Sequence, residues 1–290
     1  SQGAAQDNLS LEKIESLKIK IPHILIQKKI ADIIYSYDAL IENNEKRIKI
    51  LEEMAQRLYK EWFVKFKFPG HEKAKMIDSN SEYGLIPIGW DVIPMSQLAD
   101  FINGYPFKPK DLGTDGLPII KIPELRAGIL EKTPRNKGDK LPQKYFIQNG
   151  NILFSWSATL LVDIWNSGDA LLNQHLFKVI PKKLIYKSLV YYSLKDLIKS
   201  MSAHAVGSTM QHLRKNTVTD VKVILPSEDI LKKYETKTSV ILEQIGLLSQ
   251  KNQVLHIMRD LLIPQLITGK RLLKDNTKKK TNTNFTDAVI

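Results

Sequence analysis

The side chains best suited to binding chemistry fall into three groups of cations and hydrogen-bonding residues. Lys108 and Lys110 follow a turn at 104–107. The second group is a basic stretch consisting of Arg126, Lys132, Arg135, Lys137, Lys140 and Lys144. The third group follows Gly207 and consists of Ser208, Thr209, Gln211, His212, Arg214 and Lys215. Cations neutralise phosphates, amide and forked side chains bind base edges, and a glycine-led loop lets backbone amides approach a phosphate, so the pattern favours DNA.

These residues also have more ordinary interpretations. A single Lys is more often a solvated surface charge, and only the grouping of several in loops favours a polyanion. The net charge of +12 points the same way, although a basic protein with no such ligand is the alternative. Trp156 is able to stack on a base, but its apolar neighbours favour a core position. Residues 173–175, Asn-Gln-His, are able either to bind base edges or to form a turn held by side-chain hydrogen bonds.

The sequence contains no pattern that predicts catalysis. Residues 268–271 lack the upstream glycine and the hydroxyl residue after Lys that a phosphate-binding loop requires. The Asn-Pro-Pro-Tyr and Asp-Pro-Pro-Tyr tetrapeptides of amino-methyltransferases are absent, and the six His residues lack metal-ligand spacing. Zero Cys, no signal-peptide pattern and no apolar run near the ~20 residues of a membrane span predict a cytoplasmic protein.

Two long heptad patterns predict the helices that position the three groups of binding residues. In residues 23–66 a seam recurs in steps of four and three: Ile30, Ile34, Tyr37, Ile41, Asn44, Ile48, Leu51, Ala55, Leu58 and Trp62. The same steps recur in residues 227–270, where Thr238, Asn252 and Arg259 are the polar members. Each seam predicts a helix, the first roughly 60 Å long, that needs a partner to bury its apolar side. We expect Pro264 to loosen the last turn of the second helix and Gly269 to end it.

The two helices belong to an internal repeat. A shift of 204 residues pairs Gly3 with Gly207 and Pro22 with Pro226, and it aligns the two heptad registers without a gap. A loop, strand, proline and long helix therefore occur twice, on either side of one β-rich region. Matched amphipathic helices at the two edges of one domain predict an antiparallel coiled coil within the chain.

The polar seam positions differ between the repeats. The shift places Asn44 on Leu248 and Asn252 on Ile48. A buried Asn in a heptad seam commonly fixes the register of the helices at a cost in stability. The alternative is that both amides are partly exposed and specify nothing.

The resulting fold class is α+β, with one mixed β-rich domain and two long helices. Runs such as LPIIKIP, YFIQNGNILFSW, LFKVI and VTDVKVILP, separated by Gly, Pro and Asn turns, predict the strands. The predicted parts are a terminal strand segment at 1–22, a helix at 23–66, a linker at 67–87, the β-rich domain at 88–226, a helix at 227–270 and a disordered tail at 271–290.

Several of these stretches resemble a known family, the specificity (S) subunits of type I restriction–modification systems. The segments GWDVIPMSQLADFINGYPF, NGNILFSWSATL, LNQHLFKVIP and AVGSTMQHLRKNTVTDVKVILP look like the family's target recognition domain. The segment QKKIADIIYSYDALIENNEKRIKILEEMAQRLYKEWFVKF looks like its central spacer, and RDLLIPQLITGK looks like its C-terminal spacer end. A full S subunit has two recognition domains, whereas here 1–22 resembles only the end of a first one.

The resemblance implies a function without catalysis in this polypeptide. It implies a subunit that reads half of a bipartite double-stranded DNA target, with a homodimer as one way to supply a second reader. The helices are then a spacer on which methyltransferase (M) subunits dock, through faces bearing Tyr35, Tyr59 and Trp62, although Trp62 could instead pack on the recognition domain. S-adenosylmethionine belongs to the M subunit, and ATP and Mg belong to the restriction (R) subunit. The alternative function is a coiled-coil assembly adaptor whose β-rich domain binds protein.

Overall fold

The computed structural model combines strands with long helices, which confirms the prediction of a mixed chain. It divides into two compact units, one formed by Ser1–Glu45 with Lys251–Ile290 and the other by Lys46–Gln250. The residues that the structure describes are 18–157, 159–204, 215–271, 273 and 285–289.

Two helices are much longer than the other elements. The helices are α1 Ile24–Tyr59, α2 Ile122–Ala127, α3 Lys187–His204, α4 Lys215–Thr219 and α5 Glu228–Ile267. A π-helical turn, Lys60–Val64, extends α1. The strands are β1 Lys18–Pro22, β2 Met76–Asp78, β3 Leu85–Pro87, β4 Asp91–Pro94, β5 Ala99–Asn103, β6 Leu117–Ile120, β7 Arg135–Asn136, β8 Phe146–Ile147, β9 Ile152–Ser155, β10 Leu161–Ile164, β11 Ala170–Leu172, β12 Leu176–Pro181, β13 Lys222–Leu225 and β14 Phe285–Val289.

In the unit formed by Ser1–Glu45 and Lys251–Ile290, α1 and α5 contact each other through polar side chains. Asn44 Nδ2 donates to Asn252 Oδ1 at 2.7 Å, and the two residues are 2% and 7% exposed. Asn252 Nδ2 also donates to the carbonyl oxygen of Ile41 at 3.3 Å. Arg259 forms an ion pair with Asp38 at 2.7 Å. The interpretation that both amides are partly exposed is therefore wrong.

The same unit contains a two-stranded antiparallel sheet. β1 pairs with β14, and Ile21 lies opposite Thr286. The composition of 271–290 predicted disorder, but residues 285–289 within this range form β14. Most of the other residues of this range lie outside the described part of the chain.

The end of α5 combines a proline and a glycine. Pro264 lies inside the helix, which continues to Ile267, and Thr268 Oγ1 donates to the Pro264 carbonyl oxygen at 2.6 Å. Gly269 has a φ of 69°, the left-handed conformation in which glycine commonly ends a helix. Among the described residues, no helix is both long and apolar enough to cross a membrane.

The unit Lys46–Gln250 is built on two four-stranded sheets. One has the order β10-β9-β12-β5, with antiparallel neighbours throughout. The other has the order β7-β6-β11-β8, in which β11 runs parallel to β6. All four residues of β9 are buried. Side chains alternate between the faces of a strand, and Phe154 and Leu153 pack in different apolar clusters, so both faces of the first sheet are covered.

Aromatic packing holds the end of α1 in this unit. Tyr59, Trp62 and Phe63 are buried, and the Phe63 ring centre lies 4.6 Å from that of Tyr234. The Tyr59 hydroxyl lies 3.2 Å from Ser193 Oγ. The expectation that Tyr59 lies on an exposed face is therefore wrong, because its large ring gains more by joining this cluster. For Trp62 the alternative is confirmed, since it packs in one apolar cluster with residues of the β-rich domain.

Residues 67–87, which the sequence predicted as a linker, contain secondary structure. β2 and β3 form an antiparallel hairpin, with Ile77 opposite Ile86. Ile86 is buried, and the Tyr83 hydroxyl donates to the Lys222 carbonyl oxygen at 2.7 Å. This segment is thus tied to the β-rich unit.

Candidate nucleic-acid interface

The turn at 104–107 is fixed against the connection between β11 and β12. Tyr105 N donates to the Leu172 carbonyl oxygen at 2.8 Å, and Gln174 N donates to the Tyr105 carbonyl oxygen at 3.0 Å. A Cβ at Gly104 would lie 2.1 Å from the Asn173 carbonyl oxygen, so only glycine allows this approach. The backbone that precedes Lys108 is therefore held in place by the sheet.

The first two basic groups come together. Asn136 Nδ2 donates to the Asp111 carbonyl oxygen at 2.7 Å, which joins β7 to the short 3₁₀ helix Pro109–Asp111. Gly113 and Arg135 exchange backbone hydrogen bonds of 2.8 and 2.9 Å. The Arg135 guanidinium donates to the Gly116 carbonyl oxygen at 2.8 Å, so it stabilises this loop from within and is half-buried.

These contacts enclose a cleft of about 350 Å³. Its lining residues are Tyr105, Phe107, Asp111, Asn136, Lys137, Gly138, Asp139, Lys140 and Leu141. Lys137 and Lys140 are exposed, and Lys137 Nζ lies 3.6 Å from Asp115. Lys108 and Lys110 are exposed beside the lining residue Asp111. The cleft therefore has exposed cations at its rim, with carboxylates between them.

Three aromatic rings form one side of this region. The Tyr105 ring centre lies 5.0 Å from that of Phe107 and 5.4 Å from that of Tyr145, and both pairs meet edge to face. Lys144 Nζ lies 5.0 Å above the Tyr145 ring. Aromatic faces next to cations are able to stack on bases while the cations bind phosphates.

The other predicted contacts have different environments. Arg126 is exposed in α2 and is not among the residues that line the cleft. Ser208, Thr209, Gln211, His212 and Arg214 lie outside the described residues, and only the backbone of Lys215, at the start of α4, is described.

The turn at 173–175 is held by side-chain hydrogen bonds. Asn173 is buried and its Oδ1 accepts from His175 N at 3.3 Å. The Trp156 indole donates to the Gln174 carbonyl oxygen at 3.2 Å, and its ring centre lies 5.9 Å from that of Phe177. Trp156 is half-buried and packs at the edge of the main apolar cluster, as its apolar neighbours suggested.

The structure also brings together a group of cations that the sequence did not predict. Lys60, Lys195 and Lys199 line a groove with Leu160 and Ile198. The Lys199 amine lowers the pKa of Lys60, chiefly because a hydrogen bond between the two amines requires one of them to be neutral. Lys195 and Lys199 follow Lys60 by 135 or more positions, so no local sequence pattern predicts that the three side chains line one groove.

Another missed residue is Lys178 in β12. Its Nζ donates to the Phe146 carbonyl oxygen at 2.6 Å, and burial lowers its pKa. It links two strands and is 8% exposed, so it is structural. Within the described ranges, no group of three or more His, Cys, Asp and Glu residues is arranged to hold a metal ion.

Comparison with known proteins relates both halves of the repeat to one family. Residues 1–53 and 87–257, well over half of the chain, match the family described as type I restriction modification DNA specificity domain. The two matched stretches end at Glu53 and Ile257, positions that the shift of 204 residues places on each other. Both matches therefore stop at the same point of their long helices, which supports the internal repeat.

Individual relatives cover most of this chain. It is 26% identical to the HindI specificity subunit of a type I restriction enzyme from Haemophilus influenzae, over 93% of this chain and 72% of the relative. It is 25% identical to the MjaIX specificity subunit from Methanocaldococcus jannaschii, over 93% of this chain and 64% of the relative. The fold is similar to a crystal structure of a type I S subunit from M. genitalium, with a TM-score of 0.57, 16% identity, and coverage of 84% of this chain and 61% of that one.

Proposed function

We propose that this chain, which belongs to the type I restriction modification DNA specificity family, is a non-catalytic subunit that reads one part of a bipartite double-stranded DNA target. The observation that carries the proposal is a cleft lined by two exposed cations, Lys137 and Lys140, and by two aromatic rings, Tyr105 and Phe107. Lys108 and Lys110 lie next to it in the sequence, beside its lining residue Asp111. Lys108, Lys110, Lys137 and Lys140 bind phosphates and position the duplex, while the aromatic rings meet the bases.

In this proposal α1 and α5 form an antiparallel coiled coil that sets the distance between the two parts of the target. The contacts within the unit Ser1–Glu45 with Lys251–Ile290 support it. Asp38 contacts Arg259 and Asn44 contacts Asn252, so position rises along one helix as it falls along the other. Each added heptad would lengthen the spacer by roughly 10 Å, at 1.5 Å per residue.

The exposed sides of these helices are where we place the partner methyltransferase subunits. Within the unit Ser1–Glu45 with Lys251–Ile290, Val254 and Leu261 of α5 lie seven residues apart and are each more than half exposed. Tyr35 on α1 is 73% exposed. A regular apolar stripe on the outside of a helix fits the apolar stripe of a further helix. The methyltransferase subunits then supply S-adenosylmethionine, and restriction subunits supply ATP and Mg for cleavage.

A second reader is needed to recognise a bipartite target. We propose that a second copy of this chain supplies it, which gives a target with two symmetric parts. Light scattering on the chain with a cognate duplex should then give the mass of two chains plus one duplex. A mass of one chain, with and without DNA, would exclude the homodimer.

The competing function is an assembly adaptor whose β-rich unit binds protein. The carboxylates of Asp111 and Asp139, which line the same cleft as Lys137 and Lys140, favour a ligand of mixed charge. An adaptor would bind a partner protein through this cleft and would show no preference among duplexes.

The two functions are separated by the retention of labelled duplexes on the chain in complex with its methyltransferase partner. The double substitution Lys110→Ala with Lys137→Ala should reduce retention of the target duplex at least tenfold, because two phosphate contacts are lost. The control is Lys49→Ala with Lys73→Ala, which removes the same charge from exposed positions away from the cleft. Equal losses in both variants would show that only net charge matters and would contradict the assignment of the cleft.

A further inference from the structure

The internal repeat creates a choice of partners for each helix. α1 and α5 carry apolar seams in the same register, so by apolar pattern alone each helix matches a second copy of itself as well as it matches the other. Like-with-like pairing would join two chains through identical helices. A feature that differs between the repeats is therefore needed if only the α1–α5 pair is to form.

Asn44 and Asn252 provide such a feature. Their amides are buried and bonded to each other at 2.7 Å. The repeat puts Ile48 where α5 has Asn252, and Leu248 where α1 has Asn44. An α1–α1 pair of the same geometry would face Asn44 with Ile48, and an α5–α5 pair would face Asn252 with Leu248. Each amide would then be buried without the amide partner that it has in the α1–α5 pair.

Asp38 and Arg259 provide a second, independent feature. The ion pair between them is 2.7 Å long, and the Arg259 side chain is 25% exposed. The repeat puts Ala55 where α5 has Arg259, and Leu242 where α1 has Asp38. Like-with-like pairing therefore separates this pair too and leaves each charge opposite an aliphatic side chain.

We infer that these two polar pairs restrict α1 to α5, whether within one chain or between two copies, and reject the α1–α1 and α5–α5 pairs. The two halves of the repeat have the same apolar pattern, and the polar residues that differ between them specify which helix each one pairs with. The inference concerns helix recognition and is independent of any DNA contact. If two copies of this chain assemble through these helices, α1 of one lies against α5 of the other.

Disulfide trapping tests this directly, because the chain contains no Cys. In an α1–α1 pair Asn44 and Ile48 would face each other, so the pair would be centred at position 46. Arg47 lies near that centre on the flank of the seam, and an Arg47→Cys thiol would meet its own copy. Lys49→Cys, which is exposed and faces away from the seam, is the control for random collisions.

Both thiol variants are made in the wild-type chain and in the Asn44→Leu, Asn252→Ile double variant, which carries the residues of the opposite repeat. Each protein is unfolded, refolded at high concentration and oxidised. In the wild-type background, disulfide-linked dimer from Arg47→Cys should not exceed that from Lys49→Cys. In the double variant it should rise several-fold above the control. Equal dimer yields in the two backgrounds, or an excess at Arg47→Cys in the wild type, would overturn the inference.

Thermal unfolding of the same chains provides a second measurement. Asn44→Leu alone and Asn252→Ile alone should each lower Tm by several degrees, because each leaves a buried amide without its amide partner. The double variant should recover most of that loss. If the single variants keep the wild-type Tm, or if the two losses simply add, the amides do not act as a matched pair and the inference fails.

Discussion

The two polar regions of this molecule are built in opposite ways. Asn44 and Asn252 are buried and bonded to each other, so their effect depends on exact complementarity. Lys137 at the cleft is mostly exposed and lies 3.6 Å from an equally exposed Asp115. An unpaired buried amide is costly, whereas exposed cations attract any phosphate and are screened by salt. The difference suggests a division between the two proposals, in which fixed side chains specify helix pairing and the cations of the cleft supply affinity for DNA rather than choice of sequence.

Among the buried regions, we expect the largest loss of stability from a substitution in the aromatic cluster at the end of α1. Phe63 is 3% exposed, and its ring centre lies 4.6 Å from that of Tyr234 and 5.8 Å from that of Trp90. Phe63→Ala should lower the free energy of unfolding by about 3–5 kcal/mol, since it leaves a cavity among these rings. Met54→Ala, at a side chain that is 53% exposed on the same helix, should change it by less than about 0.5 kcal/mol. Denaturant titration measures both, and similar losses would show that the cluster is not tightly packed.

The rim of the cleft is exposed, but the turn at 104–107 beneath it is fixed against the sheet. Two glycine substitutions test whether that turn is held in place. Gly104→Ala would place Cβ 2.1 Å from the Asn173 carbonyl oxygen, so the turn must move. We expect a loss of about 1–3 kcal/mol in the free energy of unfolding, together with weaker DNA binding. Gly113→Ala is the matched control, because its Cβ would lie at an ordinary 3.6 Å from the nearest atom, the Arg135 carbonyl oxygen. Equal stability of the two variants would mean that the turn is not fixed by this contact.

The partly buried carboxyl group of Asp163 makes the stability of its unit depend on pH. Burial raises the pKa of Asp163, whose Oδ1 accepts from Ile164 N at 2.8 Å and from the Tyr191 hydroxyl at 3.3 Å. The unfolded chain loses this proton near the ordinary pKa of about 3.9, while the folded chain keeps it to higher pH. The stability of the wild type should therefore fall as pH rises from about 4 through the raised pKa, and it should then level off.

Asp163→Asn removes that fall while Asn Oδ1 still accepts both hydrogen bonds. The variant should gain about 1 kcal/mol relative to the wild type on going from pH 4 to pH 7, measured by denaturant titration at each pH. Asp169→Asn, at an exposed position in the same unit, is the control for the loss of a negative charge. A gain that is the same at both pH values would argue against a buried, titrating carboxyl.

Substitution of an exposed cation at the cleft should give the smallest effect of these variants. Lys137→Ala should weaken binding to every duplex to a similar extent, and it should reduce the slope of log K against log salt by about 1. The measurement is a salt titration of duplex affinity, with Lys49→Ala as the control. If Lys137→Ala weakened binding to only one DNA sequence, Lys137 would contact bases. The cations would then contribute to the selection of a DNA sequence as well as to affinity for DNA in general.

The sequence predicted the elements better than the contacts between them. Heptad steps revealed both long helices, and the repeat revealed that they match, because one-dimensional periodicity encodes a buried face. The seam pattern also marked Asn44 and Asn252 as polar positions. It did not show that they bond to each other, since that depends on how one helix is aligned on the other.

The cleft could be predicted only in part. Grouping of cations indicated Lys108, Lys110, Lys137 and Lys140, but their convergence depends on a bond from Asn136 to the backbone of Asp111, which no spacing rule predicts. The parallel pairing of β6 with β11 joins strands about 50 residues apart and has no local signal either. The sequence did not predict the bond from the Arg135 guanidinium to Gly116, and a DNA contact of Arg135 stays a prediction.

The central claim is that this chain chooses a DNA sequence on behalf of partner subunits. The most direct measurement is to sequence the duplexes that the chain retains, in complex with its methyltransferase partner, from a random library at physiological salt. We expect enrichment of a split motif with a fixed gap, and we expect the Lys110→Ala, Lys137→Ala variant to retain less DNA overall while still enriching the same motif. Retention of all duplexes equally, with a dependence on salt alone, would contradict it.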